Sequence, residues 1–475
     1  MKEYLLGACL FGTLLASGAT TLPDSLAARQ WLHIYSKEGL REFKAYPYQN
    51  IQNFEFISND DTSNDETASH KSAPFQSEES AFHVMVVNQA DGRSDSIPMS
   101  HIDHFEFAAD LPVIDIRLKD YPEKVELWDK ELYLDATVNI DGGGVYEDLS
   151  DWSTTIKGRG NSTWMMPKKP YRFKAGKKIS LFGLPKAKSY ALLANYIDPT
   201  HVRNYLSLQL AQRLGLPFTN SCIPVRITFN GIDKGLYMLT EKLGIGSASV
   251  DIDEEQGYLL ELDAGFDEDY KFYSEPYGLP VMIKDPDLSE IYPDDPEGKL
   301  SEIEQDFNEM LTKIANCNDE SWRELIDTNS LVNYLMVFSF ACNNELSHPK
   351  SCFIYRPGPD EKYYFGPVWD FDWCYGFTDS TPELLSPERW LFASWGTTPG
   401  AKFFYRLTQL PGFMDEYISR WDEMVATIYP SLMSDMEEYA NSLRPAALGD
   451  ALIWDNKDEK GAFEYDRHIE HSRNG

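Results

Sequence analysis

The chain has 475 residues, 13% of them aromatic, which is enough for more than one domain and a large packed core. Its 43 Lys and Arg against 76 Asp and Glu give a net charge of -33, which argues against a nucleic-acid-binding surface and against docking on anionic lipid. That charge suits a solvated extracellular or cell-surface protein. It also means that a phosphate-bearing ligand would need local basic residues or a metal ion.

The N-terminus reads as an export signal. Lys2 precedes the apolar run "YLLGACLFGTLLASGA", which ends in the small residues Ser17 and Ala19, so residues 1–19 are expected to be a cleaved signal peptide. The run falls short of the about 20 apolar residues a membrane span needs, so no transmembrane span is expected in the mature chain; the alternative is a short anchor. Cys9 follows "LLGA", similar to a lipoprotein box, and lipidation there is the minor reading. The other five cysteines, Cys222, Cys317, Cys342, Cys352 and Cys374, show no C-x-x-C spacing, which argues against a zinc site or a disulfide framework.

Residues 20–110 read as a β-hairpin repeat module. "LHIYSKEGLREFKAYPYQNIQNFEF" (32–56) resembles "FHVMVVNQADGRSDSIPMSHIDHFEF" (82–107). Each copy has an alternating strand, a turn with Gly39 or Gly92, and a closing I-x-x-F-E-F. The polar stretch between them, "SNDDTSNDETASHKSAPFQSEES", reads as a disordered linker. A spacer is favoured over a catalytic role.

A second domain is expected over residues 111–475. Strand signals recur in "LPVIDIRL", "ELYLDATVNI", "STTIKGRG", "PYRFKAG", "IPVRITFNG" and "KGLYMLTEKL". "DPTHVRNYLSLQLAQRLG" reads as a helix N-capped by Asp198 and ended by Gly215. "LSEIEQDFNEMLTKIAN" puts Ile303, Phe307, Met310, Leu311 and Ile314 on one stripe, and "SLVNYLMVFSFACNN" reads as a more buried helix. Strands followed by helices predict an α+β fold with two lobes. The end at "HSRNG" has no obvious closing element, which reads as a truncation.

Four stretches carry polar groups that packing alone would not request. In "IKGRGNSTW" two glycines flank Arg159, which would let backbone approach phosphates or simply make a hairpin turn; it is no Walker A loop. "KKPYRFK" concentrates Lys168, Lys169, Arg172 and Lys174 into a patch suited to an anion, or a solvated basic edge. Glu241 in "LTEKL" could pair with one of those lysines or stand at a strand end. In "VWDFDWCYG", Asp370 and Asp372 are two apart, so on an extended segment they face the same way inside an aromatic wrapper. Buried unpaired charge is expensive, so they have protein partners or hold a cation. Upstream, "NNELSHPKS" ends the buried helix with Glu345 and a lone His348.

These motifs in this order, "IKGRGNSTW…KKPYRFK", "LLANYIDPTHVRNYLSLQLA", "NGIDKGLYMLTEKL" and "VWDFDWCYG", resemble the spore coat protein H (CotH) family of atypical protein kinases over roughly Leu111 to the end. The resemblance implies a divergent protein-kinase-like, two-lobed domain that binds ATP with Mg²⁺ or Mn²⁺ and phosphorylates serine in a protein acceptor. It implies Asp370 as a metal ligand, with Asp372 beside it, and Lys169, Arg159 and Glu241 as nucleotide-binding residues. The position of the family's catalytic aspartate holds Glu345. Export suggests a cell-surface partner as the alternative to an acceptor. The rival expectations are a catalytically inactive kinase fold that serves as a binding or adhesion module, and a carbohydrate-processing enzyme pairing Glu345 with Asp370.

Overall fold

The computed structural model describes residues 30–36, 44–47, 51–58, 82–89, 92–109, 111–119, 130–143, 145–375 and 396–454. The expected signal peptide, the Gly39 turn, the polar linker and the end of the chain lie outside the described residues. The chain divides into two compact units, one reaching Pro112 and including Gly143–Val145, the other made of Val113–Gly142 and the residues from Tyr146 on.

In the first unit each sequence repeat supplies three strands rather than a bare hairpin. The first gives β1 (Gln30–Ser36), β2 (Lys44–Pro47) and β3 (Ile51–Ser58); the second gives β4 (Phe82–Gln89), β5 (Ser94–Pro98) and β6 (Ile102–Ala109). The F-E-F strands change places. β6 pairs with β1, Phe107 opposite Leu32, and β3 pairs with β4, Phe56 opposite Met85. The sheets are therefore β2-β1-β6 and β3-β4-β5, each built from both repeats.

The second unit is α+β. It opens with a closed barrel of seven strands: β7 (Val113–Leu118), β8 (Leu134–Asp141), β9 (Leu149–Gly158), β10 (Tyr171–Ile179), β11 (Ala187–Leu193), β12 (Ile223–Phe229) and β13 (Ile232–Glu241). The order round the barrel is β10-β11-β13-β12-β7-β8-β9, closed by β9 against β10. β12 and β7 run parallel, the other neighbours antiparallel. Period-two alternation turns Ile114, Ile116, Val138, Ile156, Phe173, Val225 and Ile227 inward, where they form one buried cluster. All six expected strands are present; the barrel closure and β11 are additions.

Beyond the barrel, β14 (Tyr258–Leu262), β15 (Lys271–Tyr273), β16 (Pro280–Asp285), β17 (Cys352–Arg356) and β18 (Tyr364–Phe365) form a sheet in the order β15-β16-β14-β17-β18. Around it lie α1 (Arg203–Arg213), α2 (Pro296–Asn316), α3 (Thr328–Phe340), α4 (Pro399–Thr408), α5 (Phe413–Thr427) and α6 (Tyr429–Trp454). α2 starts where the Asp295 side chain accepts from the Gly298 N–H and Pro296 takes the first turn. Its stripe Ile303, Phe307, Met310, Leu311 and Ile314 is buried as expected, each side chain contributing roughly 1.5–3 kcal/mol. α3 is buried over most of its length. α1 begins later than expected, with Val202 as N-cap; Asp198 instead accepts from the Arg203 N–H, at 2.9 Å, from the preceding turn. Gly215, at φ +76°, ends it.

α6 is tied to the barrel by a buried ion pair. Lys168 was expected in a phosphate patch or on a solvated edge, but it is completely buried, its Nζ 2.7 Å from Asp450 Oδ2 and 2.5 Å from the Leu236 carbonyl. Asp450 also accepts the Leu236 N–H at 2.8 Å, and His201 Nε2 lies 3.6 Å from it. Gly235 opposite has φ +76°, and a Cβ there would stand 2.1 Å from Asp450 Oδ1, so only glycine lets the carboxylate in. Among the described residues no helix is long and apolar enough to cross a membrane.

Candidate functional site

Between the barrel and the five-stranded sheet lies a cavity of about 400 Å³. Its barrel side is basic: Lys157, Arg159, Arg172 and Lys242. Its other side carries Glu261, Asp263, Glu268, Lys284, Lys350, Asp370 and Asp372. Arg159, Asp370 and Asp372, separated by some two hundred residues, thus meet on one surface.

The glycine-flanked loop is the connection between β9 and β10: it makes the turn, with the Arg159 N–H on the Pro170 carbonyl at 3.1 Å, and it also lines the cavity. Gly158 is required because a Cβ there would meet the Trp164 ring at 2.2 Å. Arg159 lies over Trp369, 5.7 Å from the ring centroid. Asn161 bridges the cavity mouth, accepting from Lys130 at 3.1 Å and donating to Asp267 at 3.0 Å.

Lys169 does not line the cavity. Its Nζ donates to the Trp164 carbonyl at 2.7 Å and sits over the Trp164 ring, bracing the loop from behind. Glu241 is not at the cavity either. It is buried and accepts from the Ser221 N–H at 2.8 Å and the Ser221 hydroxyl at 2.9 Å, not from a lysine of the basic stretch. The cations that do face the cavity from neighbouring strands are Arg172, whose Nε is buried with no hydrogen-bond partner, and Lys242 at the end of β13. Burial, then the nearby Arg172, pushes the Lys242 ammonium down to about 8, with Asp285 opposing.

Asp370 is not on an extended strand. It has φ +68°, the left-handed region, so the strand-alternation argument for the pair does not apply. The loop is gripped by α1 instead. Asn204 Oδ1 accepts the Phe371 N–H at 2.8 Å, Arg203 Nη1 donates to the Asp372 carbonyl at 3.2 Å, and Ser207 meets the Tyr375 hydroxyl at 2.8 Å. The "HVRNYLS" stretch, expected as a helix and as part of a family motif, is therefore the support of the two aspartates.

Glu345 stands just behind the cavity, in the turn after α3. Its Oε1 lies 3.8 Å from Lys350 Nζ, and its Oε2 is buried with no hydrogen-bond partner. Burial, then the adjoining Asp370, pushes the Glu345 carboxyl up to about 9, against the pull of Lys350. Burial, with Asp370 and Asp198, also holds Asp372 well above the ordinary carboxylate range. His348 is exposed on the same turn. The picture is a cluster of carboxyl groups, two of them raised chiefly by burial, with Lys284 and Lys350 among them, facing a wall of cations.

Residues 156–474, more than half of the chain, match the family described as CotH kinase protein. The chain belongs to the CotH family. The CotH match begins inside β9, so β7 and β8 of the barrel lie upstream of it. No curated protein matches the chain. Among the described residues no group of three or more His, Cys, Asp or Glu is placed to hold a metal ion by itself.

Proposed function

We propose that this CotH-family chain is an exported protein kinase of the atypical kind, transferring the γ-phosphoryl group of ATP to serine in a protein acceptor. The observation that carries the reading is the meeting of Arg159, Asp370 and Asp372 in one cavity, with Glu345 behind it and a basic wall opposite. The barrel corresponds to the smaller lobe of a kinase-like fold and the sheet with its helices to the larger, the nucleotide lying between.

The residues fit a hard divalent cation. Asp370 and Asp372 are oxygen donors, burial and then the neighbouring Asp370 raise the Glu345 and Asp372 carboxyls, and Glu345 Oε2 has no partner. Mg²⁺ and Mn²⁺ in such sites take one or two carboxylates and complete their shell with phosphate oxygens and water, so a cage of three protein ligands is not needed. When bound, the ion neutralises charge on the β- and γ-phosphates. Arg159, Arg172 and Lys242 hold phosphate oxygens from the barrel side; Lys169 keeps the Arg159 loop in place rather than touching them. Glu345 orients the acceptor hydroxyl and takes its proton once its own has left. Positioning and electrostatics supply the catalysis.

The test is melting of the full chain with ATP, Mn²⁺ and both, followed by transfer of labelled phosphate to a serine-rich acceptor. ATP with Mn²⁺ is expected to raise the melting temperature by mass action where either alone does not. No stabilisation by the pair refutes nucleotide binding. A second reading, an inactive kinase fold acting as a cell-surface binding module, is favoured by the burial of Glu345, which pushes its carboxyl up to about 9; binding without transfer at any pH selects it.

A further inference from the structure

The turn from Glu345 to Ser351 is rigid. The Lys350 N–H donates to the Glu345 carbonyl at 3.2 Å, closing the turn on itself. The Ala264 N–H donates to the Pro349 carbonyl at 2.8 Å, and the Ser351 N–H to Asp263 Oδ2 at 3.1 Å. On its other side the Thr398 hydroxyl donates to the Ser347 carbonyl at 2.5 Å. Lys350 therefore cannot leave with its backbone; its side chain alone moves. Its ammonium stands 3.8 Å from Glu345 Oε1, too far for a hydrogen bond, so it is near the carboxylate without being locked to it.

In protein kinases two metal ions neutralise the phosphates. One is held by the aspartate of the later loop, the second by an asparagine five residues after the catalytic aspartate. Five residues after Glu345 this chain has Lys350. An ammonium has three donors and no lone pair, so it cannot ligate a metal, and it repels one. We propose that Lys350 occupies the place of the second metal ion, so that the site works with a single divalent cation at Asp370 and Asp372 and a tethered ammonium as the other positive charge. The inference rests on the phosphoryl-transfer reading above.

The surroundings agree. Although partial burial opposes it, Glu345, Asp370, Asp263 and Asp372 together hold the Lys350 ammonium above its usual value, so the charge is present throughout the working range. Lys350 lines the cavity together with Asp263, Asp370 and Asp372, on the side facing the basic wall. A lysine on a four-carbon stem reaches a phosphate oxygen as a point charge without the geometric demands of a metal shell. It also needs no free metal to be supplied at that position.

The experiment counts ions, not turnover. The full chain with a non-hydrolysable ATP analogue is titrated with Mn²⁺, and free Mn²⁺ is read by its paramagnetic resonance signal. One nucleotide-dependent Mn²⁺ is expected in the wild type. Lys350→Asn and Lys350→Asp are each expected to bind two, the second at least tenfold tighter than any second ion in the wild type. Two ions in the wild type, or one in all three proteins, overturns the proposal. If no Mn²⁺ binds with nucleotide in the wild type, the phosphoryl-transfer reading itself falls and takes this inference with it; a nucleotide complex with the wrong ion count leaves that reading standing. The wild-type count needs no variant to fold.

Discussion

Replacing Asp370 by asparagine separates its charge from its backbone. Asp370 has φ +68°, a conformation that costs most residues about 1–2 kcal/mol but that Asp and Asn both tolerate. The substitution therefore leaves the loop as it is, still held by Asn204 at Phe371 and Arg203 at Asp372. It removes the negative charge that helps raise Glu345 and Asp372, and it deprives Arg159 of a nearby anion. These effects oppose one another, so the unfolding free energy is expected to change by less than about 1 kcal/mol. Cation binding is different. A unit charge 4 Å from a divalent ion is worth about 8 kcal/mol at an effective dielectric of about 20, twice the value for two unit charges. If desolvation of both partners offsets two thirds of that, about 2.7 kcal/mol remains, or roughly a hundredfold in affinity. Calorimetric titration with Mn²⁺ and a non-hydrolysable ATP analogue reads this directly, with urea unfolding as the control. Asp370→Ala should lose the same affinity and a further ~1 kcal/mol of stability, because alanine lacks the tolerance for that φ. Nucleotide affinity of Asp370→Asn within threefold of the wild type would refute the role as metal ligand. A stability loss of several kcal/mol would show the carboxylate to be structural.

Three further outcomes follow from charges described above. Because Glu345 is pushed up to about 9, it is protonated near pH 7, and burial also raises Asp372; an arriving cation lowers Glu345, so Mn²⁺–nucleotide binding should release about one proton, seen as a binding enthalpy that depends on the buffer's ionisation enthalpy; equal enthalpies in two such buffers contradict it. Asp450→Ala strands a completely buried Lys168 and should cost about 3–5 kcal/mol in urea unfolding, while adding Lys168→Met should cost much less than the sum of the two single changes; additive losses would mean that the pair is not coupled. Burial, then Lys168, lowers His201, so the folded state refuses a proton that the unfolded chain accepts near pH 6.5; stability is complete above that pH and falls below it by up to about 1.4 kcal/mol per unit, and Asp450, also lowered, adds loss in the same direction below about pH 4. His201→Asn keeps the left-handed backbone at φ +58° and should flatten the upper part of that slope; an unchanged profile excludes His201 as its source.

Much of the second unit was legible because its signals are local. The α2 stripe and the alternation of β7, β8, β9, β10 and β12 are periodicities within single segments. β11, "AKSYALL", is not among the expected strands; it buries Tyr190, Ala191 and Leu192 in succession. The parallel pairing of β12 with β7 and the closure of β9 on β10 were beyond reach, since period-two patterns say which face is buried and not which strand lies alongside. The site was half legible. Arg159, Asp370 and Asp372 stood out as polar groups in glycine-rich or aromatic settings, and they do meet. Lys168 and Lys169, expected in a patch for an anion or on a solvated edge, face neither the cavity nor a shared patch; the partner of the first is 282 residues away and that of the second is a backbone carbonyl. Asn204 and Arg203 gave no sign, because on a helix they look like ordinary polar positions.

The exchange of closing strands in the first unit has a consequence for how that unit comes apart. Sequence repeat and structural sheet are not the same object: a chain cut anywhere between Ser58 and Phe82 would yield two pieces of three strands each, and neither piece would own a complete sheet. The pieces would still be joined by the β1–β6 and β3–β4 ladders, seven residue pairs each. Proteolytic nicking there should therefore go unnoticed in a native gel and be revealed only under denaturation. The repeats cannot be expressed singly as stable modules, but they can be supplied as separate polypeptides that complement one another. The same arrangement allows two chains to trade their second repeats without making a single new kind of contact, so covalent continuity between the repeats fixes which partner is chosen and adds nothing to the pairing itself.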